Sequence, residues 1–161
     1  MIRVYEHRDH DAVLALNAAN VPEVGPMDAE KLAFFLEISP FLQVVEADEG
    51  IIGMLVGLTE ESVGYGSPNY AWFLERLETF AYVDRIAIAE SARGMGWGPE
   101  LYRRFEAWAL ETGKAALCAE VNTIPSNPRS IRFHELFGFA EVARRNPYGP
   151  DEEVAMFEKL L

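Results

Sequence analysis

The sequence predicts a mixed α/β fold, with a mostly antiparallel central sheet flanked by helices. Three observations carry that expectation. Residues 41–47 and 51–59 are apolar, β-rich runs on either side of Asp48-Glu49-Gly50, the composition of a tight antiparallel turn. Residues 80–121 read as strand, glycine loop, helix and strand, a βαβ unit with a right-handed crossover. The 161 residues contain no internal repeat, low-complexity tract or linker, so residues 1–161 are expected to share one core as a single domain.

In chain order, Ile2-Arg3-Val4-Tyr5 alternates apolar and polar and opens the sheet with a short strand. Val13, Leu14, Leu16 and Ala18 place a helix over 9–20, and Leu32, Phe35 and Leu36 place a second over 27–38. The hairpin follows. Residues 60–78 interrupt the sheet: Gly64, Gly66, Ser67 and Pro68 make a loop, and Tyr70, Trp72, Phe73 and Leu77 a short aromatic helix. This segment is expected to wall a pocket, to pack on the core, or to form the seam of a homodimer. Residues 80–89, with Val83, Ile86 and Ile88, suit a central strand covered on both faces. Pro99 fits the first turn of the next helix, with Leu101, Phe105, Trp108 and Ala109 along its apolar stripe and Gly113 as its stop. Residues 115–121 form another strand. Asn127 caps a helix opened by Pro128 that ends near Gly138, and residues 139–143 and 154–160 supply the last strands.

Half of the residues are hydrophobic and a quarter charged, which excludes disorder for most of the length. No run approaches the roughly 18 apolar residues of a membrane helix, and Arg3, Glu6 and Arg8 occupy the place of a secretory signal, so a cytoplasmic protein without a membrane partner is expected. Fourteen basic against 26 acidic side chains give a net charge of −12, which repels nucleic acid and favours a cationic substrate. Cys118 is the only cysteine; it has no partner for a disulfide or a metal site and reads as core.

Two constellations carry chemistry. Arg93-Gly94-Met95-Gly96-Trp97-Gly98 lies where a buried strand becomes a helix, so free backbone N–H groups and the positive helix end converge on one anion, with Arg93 adding a charge-assisted contact. A phosphate fits there. Gly98 is followed by Pro99-Glu100 and not by Lys and Ser/Thr, which excludes a nucleotide-hydrolysing P-loop. A dinucleotide fold, with Glu120 on the ribose, is the alternative, but its glycine spacing differs and only about 40 residues follow the unit, too few for a second half-sheet. In the helix after Asn127, the three- and four-residue steps to Ser130 and His134 make one polar stripe.

Together, Ile86-Ala87-Ile88, Arg93-x-x-Gly96-x-Gly98, Asn127 and Phe133-His134-Glu135-Leu136-Phe137-Gly138-Phe139 resemble the GNAT family of acetyl-CoA-dependent N-acetyltransferases across residues 80–143. The resemblance implies central parallel strands that splay to admit the pantetheine arm. The backbone of Ile86, Ala87 and Ile88 would pair with that arm, the loop of Arg93, Gly94, Met95, Gly96, Trp97 and Gly98 would hold the pyrophosphate, and Asn127 would sit beside the pantetheine. The implied reaction is acetyl transfer from acetyl-CoA to a primary amine of a small molecule or peptide, without a metal. Family members commonly carry a tyrosine where this chain has His134, so His134 becomes the expected proton donor to sulfur and a cofactor contact. Glu120 is the expected base that takes the amine proton, with Tyr82 and Asp84, placed by period-two alternation on one face with Ile86 and Ile88, as alternatives. A CoA-binding module without turnover is the competing reading, because that tyrosine is missing.

Overall fold

The computed structural model describes all 161 residues. The chain runs β1 (Ile2–Val4), α1 (His10–Ala18), α2 (Ala29–Ile38), β2 (Phe41–Ala47), β3 (Gly50–Thr59), α3 (Pro68–Arg76), β4 (Ala81–Ile88), α4 (Trp97–Glu111), β5 (Ala116–Ile124), α5 (Pro128–Phe137), β6 (Ala140–Arg145) and β7 (Glu153–Leu160). The seven strands form one sheet in the order β1-β2-β3-β4-β5-β7-β6. Every neighbouring pair is antiparallel except β4 and β5, which run parallel and so need the α4 crossover between them.

Each face of the sheet buries its own core. Val13 and Leu16 of α1, Leu32 and Phe35 of α2, and Tyr70 and Phe73 of α3 pack with Val44, Met54, Val56, Leu58 and Tyr82 on one side. Leu101, Tyr102, Phe105 and Ala109 of α4 pack with Leu55, Ala81, Val83, Leu117, Ala119 and Phe157 on the other. A Cβ at Gly57 would lie 2.3 Å from the Phe105 ring, so only glycine lets α4 settle this close to β3.

Three local differences from the sequence-based expectations matter for the site. A short 3-10 turn over His7–Asp9 precedes α1, because Asp9 turns back to accept from the Glu6 amide and to pair with Arg3. Strand β5 runs on to Ile124, because β7 pairs with it as far as Glu153. In β4, Val56 lies opposite Arg85 and Gly57 opposite Val83, which leaves Asp84 as the extra residue of a bulge. The expectation that Tyr82, Asp84, Ile86 and Ile88 share a face fails at this bulge. Tyr82 and Ala87 join the α1–α2 core, whereas Ile86 and Ile88 pack on the α4 side. Period-two reading has no means of seeing an inserted residue.

Candidate active site

The centre of the sheet is open. Strands β4 and β5 pair only at Ala81–Leu117 and Tyr82–Cys118, and beyond them the facing edges separate. Ile86, Ala87 and Ile88 bond on their far side to Leu55, Met54 and Gly53 of β3, so their near edge presents backbone N–H and C=O groups to the gap. Such groups require partners when water is excluded, and an extended amide-bearing chain supplies them.

At the head of the gap lies the turn into α4. Gly94 and Gly96 have φ of +82° and +87°, and Gly96 stands at the N-cap of α4. That left-handed backbone aims successive amides outward, which is the reason for glycine there. The amides of Gly94, Gly96, Trp97 and Gly98 donate to no carbonyl in the turn, and a Cβ at Gly94, Gly96 or Gly98 would meet nothing within 4 Å. The cradle is open, electropositive by virtue of the helix dipole, and fits a pyrophosphate. Met95 is exposed. Arg93 is also exposed, and its Nη2 reaches Asn20 Oδ1 at the end of α1, 3.0 Å away.

Glu120 marks the other end, on β5 next to the gap. Its Oε1 accepts from the Tyr82 hydroxyl at 2.7 Å, while its Oε2 is buried with no partner in the protein. Burial pushes the carboxyl up to about 7; the Asp84 charge adds to this, and the Tyr82 hydroxyl and the neighbouring Asn69 amide oppose it. A carboxylate tuned to neutrality exchanges protons readily at physiological pH. The same field holds the Tyr82 hydroxyl well above its ordinary range, burial being the first cause. Asp84 is not a free base: Arg85 Nε donates to its Oδ2 at 2.7 Å and the Tyr65 hydroxyl bonds its Oδ1. Arg85 in turn donates to Asn17 Oδ1 and to the Gly25 carbonyl, both at 2.9 Å, which ties β4 to the α1–α2 loop.

The stripe on α5 is only partly directed at the gap. Asn127 Oδ1 caps the helix by accepting from the Ser130 amide at 3.2 Å. His134 is 4% exposed, and both its ring nitrogens are engaged. Nδ1 lies 2.7 Å from the Ser130 carbonyl, an acceptor only, so Nδ1 carries the proton and Nε2 accepts from the Tyr102 hydroxyl at 2.8 Å. Burial lowers the imidazole below its ordinary value and favours this neutral form. The ring stacks on Phe157 and meets Phe139 edge-on. His134 thus has both ring nitrogens bonded within the protein and fastens α4 to α5. Cys118 is buried in the core beside Tyr82, and burial pushes its thiol up.

The structure thus brings the 93–98 loop, the 86–88 edge and Glu120 around one gap, and bonds both His134 nitrogens within the protein. The aromatic segment divides its duties: Tyr70 and Phe73 enter the core, and Asn69, 3% exposed, lies beside Glu120. Asn69 was not singled out from the sequence. Ser67-Pro68 signals a helix start there, but nothing local signals its neighbour across the sheet. Among the described residues no group of His, Cys, Asp and Glu is placed to hold a metal, and no helix is long and apolar enough to cross a membrane.

Residues 5–139 match the model of the Acetyltransferase (GNAT) family. The aminoglycoside N(6')-acetyltransferase type 1 of Serratia marcescens is 30% identical over 144 residues, covering 89% of this chain and 94% of the relative. Among solved structures, Ard1 from Thermoplasma volcanium superposes with a TM-score of 0.79 at 21% identity, over 100% of this chain and 97% of that one. The ribosomal-protein-S18-alanine N-acetyltransferase from Escherichia coli superposes with a TM-score of 0.76 at 17% identity, over 99% and 92%.

Proposed function

Since this chain belongs to the acetyltransferase (GNAT) family and is an N-acetyltransferase by that kinship, we propose that it moves an acetyl group from acetyl-CoA to a primary amine, with Glu120 as the base. One observation carries this reading: a buried carboxylate, balanced near neutrality and with one oxygen free, stands where β4 and β5 part.

The residues around the gap fit the cofactor. The amides of Gly94, Gly96, Trp97 and Gly98 take the pyrophosphate, with Met95 and the Arg93 guanidinium at the rim. The open edge of Ile86, Ala87 and Ile88 pairs with the pantetheine amides, and Asn127, at the start of α5, lies along the same arm. When bound, acetyl-CoA supplies the acetyl group as an activated thioester. The chain's own contribution is orientation and proton handling. An amine arrives as R–NH3⁺, gives one proton to Glu120 and becomes R–NH2, the only form with a lone pair to react. A carboxylate of ordinary acidity would be a feebler acceptor of that proton at neutral pH. The β4 amides near Ile88 are the candidate donors for charge that develops on the carbonyl oxygen. His134 supports the site by pinning α5 to α4 through Tyr102.

The net charge of −12 draws cations toward the protein, in keeping with an ammonium substrate. The Serratia marcescens relative puts aminoglycosides beside polyamines and peptide amines in the panel to be tried. Acetylated product is followed by mass spectrometry, with CoA binding measured separately by calorimetry. Transfer to at least one amine is expected; a protein that binds CoA and acetylates none of them overturns the reading.

A further inference from the structure

Helices α1 and α2 border an open cavity of about 800 Å³, lined by Asn17 of α1, Met27 and Asp28 of the connecting loop, and Glu30, Lys31 and Phe34 of α2. It lies on the face of the sheet that carries Glu120. Cys118 packs in the core under α1 and α2, and Glu120 follows it by two residues on β5, so both point to that face.

The inner wall of the cavity reaches the gap. Asn17 Oδ1 accepts from Arg85 Nη1 at 2.9 Å. Tyr82 pairs with Cys118, and the bulge at Asp84 makes the step from Tyr82 to Arg85 only two places of the ladder. Arg85 therefore stands level with Glu120 across the opening between β4 and β5. On the other side, a Cβ at Gly64 would lie 3.9 Å from the Phe34 ring, and the next residue, Tyr65, bonds Asp84. A ligand in the cavity thus has its inner end at the parted strands.

Lys31 is the unmatched charge of this cavity. The chain has three lysines, all half-buried. Lys114 and Lys159 each meet a carboxylate at 2.6 Å, Glu60 and Glu106. Lys31 Nζ has no ion pair; it lies 5.8 Å from the centre of the Phe35 ring, on which the Arg85 guanidinium also rests at 4.9 Å. Burial pushes Lys31 below the ordinary lysine value and the Arg85 charge adds to this, with Asp84 and Asp28 opposing. The acids on the cavity rim do not neutralise it. Asp28 caps α2 by accepting from the Lys31 backbone amide at 2.8 Å, and both Asp28 and Glu30 are exposed to water. A cation partly stripped of water and left without a counterion favours the arrival of an anion. An acceptor that supplies a carboxylate along with its ammonium has no net charge for the −12 of the protein to repel.

We infer that the acceptor is a primary amine that also carries a carboxylate, as a free amino acid or a peptide does: its amine reaches Glu120 at the parted strands while Lys31 Nζ donates to its carboxylate in the cavity between α1 and α2. The inference rests on the amine-acetylating reading and names the class of acceptor within it. Lys31 is then a residue that sets specificity and takes no part in the proton chemistry.

The test compares kcat/KM for amino carboxylates with that for their amides, which keep the length and lose the charge. The pairs are 4-aminobutyrate, 6-aminohexanoate, L-leucine and glycyl-glycyl-L-leucine, each against its own amide. The wild type should favour the acid in at least one pair by about ten- to a hundred-fold, the worth of a hydrogen bond between charged groups. The pair that responds separates a free amino acid from a peptide. Lys31→Gln should abolish the preference and Lys31→Arg should preserve it. A merely structural loss would lower both members of a pair alike and leave their ratio where it was. No preference for acids in the wild type, or a ratio that Lys31→Gln leaves in place, overturns the inference, and acetylation of the amides, spermidine or kanamycin then leaves the acetyltransferase reading standing. A protein that binds CoA and acetylates no amine overturns both.

Discussion

The two ends of the gap between β4 and β5 are made of different materials. The end proposed to hold phosphate is six consecutive residues, exposed over 93–96 and half-buried at 97–98, and offers backbone amides. The end proposed for the amine is more enclosed and is made of side chains from separate segments: Tyr65 and Asn69 around α3, Tyr82 and Asp84 on β4, and Glu120 on β5, of which Asn69 and Tyr82 are buried and the others half-buried. A backbone cradle is indifferent to most of its own side chains, whereas a site of side chains can be altered one residue at a time. On the proposed reading the first would hold acetyl-CoA and the second the acceptor amine.

The contrast can be broken at its strongest point first. Glu120→Gln should lower turnover by about 10²–10⁴-fold, as loss of a general base does, and leave CoA affinity alone. The wild-type rate should climb as pH rises through about 7 and the variant should lose that limb. Stability should move the opposite way. Glu120 binds its proton more tightly folded than unfolded, so its ionisation costs stability as pH rises from about 4.5 to about 7. The glutamine variant should thus melt higher than wild type at pH 8, with the gap closing below pH 4.5.

Next comes the interlock behind the amine end. Arg85→Met leaves the Asp84 carboxylate, buried to the same degree, without its cation, and should cost about 3–5 kcal/mol in denaturant unfolding. A smaller loss is expected from His134→Phe, about 1–3 kcal/mol, because the Tyr102 hydroxyl loses its acceptor; the pH–rate profile should not move. A displaced profile would restore His134 to the proton chemistry. The mildest change is at the phosphate end. Gly96→Ala meets open space, so only its left-handed backbone resists, by about 1–2 kcal/mol, and CoA affinity should fall about ten-fold with KM for the amine unmoved.

The same division explains how much of the molecule was legible from sequence. The 93–98 loop, the Asn127 cap and the hairpin at Gly50 are local arrangements, each written in neighbouring residues, and the structure has an element at each place. Glu120 was reachable because β5 carries it past the split. Asn69 was hidden, since its meaning comes from a residue on another strand. Asp84 was misplaced because a bulge shifts the alternation on which its orientation was judged. The setting of His134 was hidden for a related reason. A helix-face pattern shows that the imidazole lines up with Ser130 and Asn127, but not that Tyr102 from α4 closes over its second nitrogen.

The buried Cys118 has a practical corollary. It is the chain's sole sulfhydryl, fully enclosed and held in its unreactive protonated state. A chromogenic thiol reagent added to an assay would therefore register liberated coenzyme and stay blind to the folded catalyst. The same dye, applied without substrate, becomes a clock for unfolding, since colour then develops only as fast as the sheet comes apart.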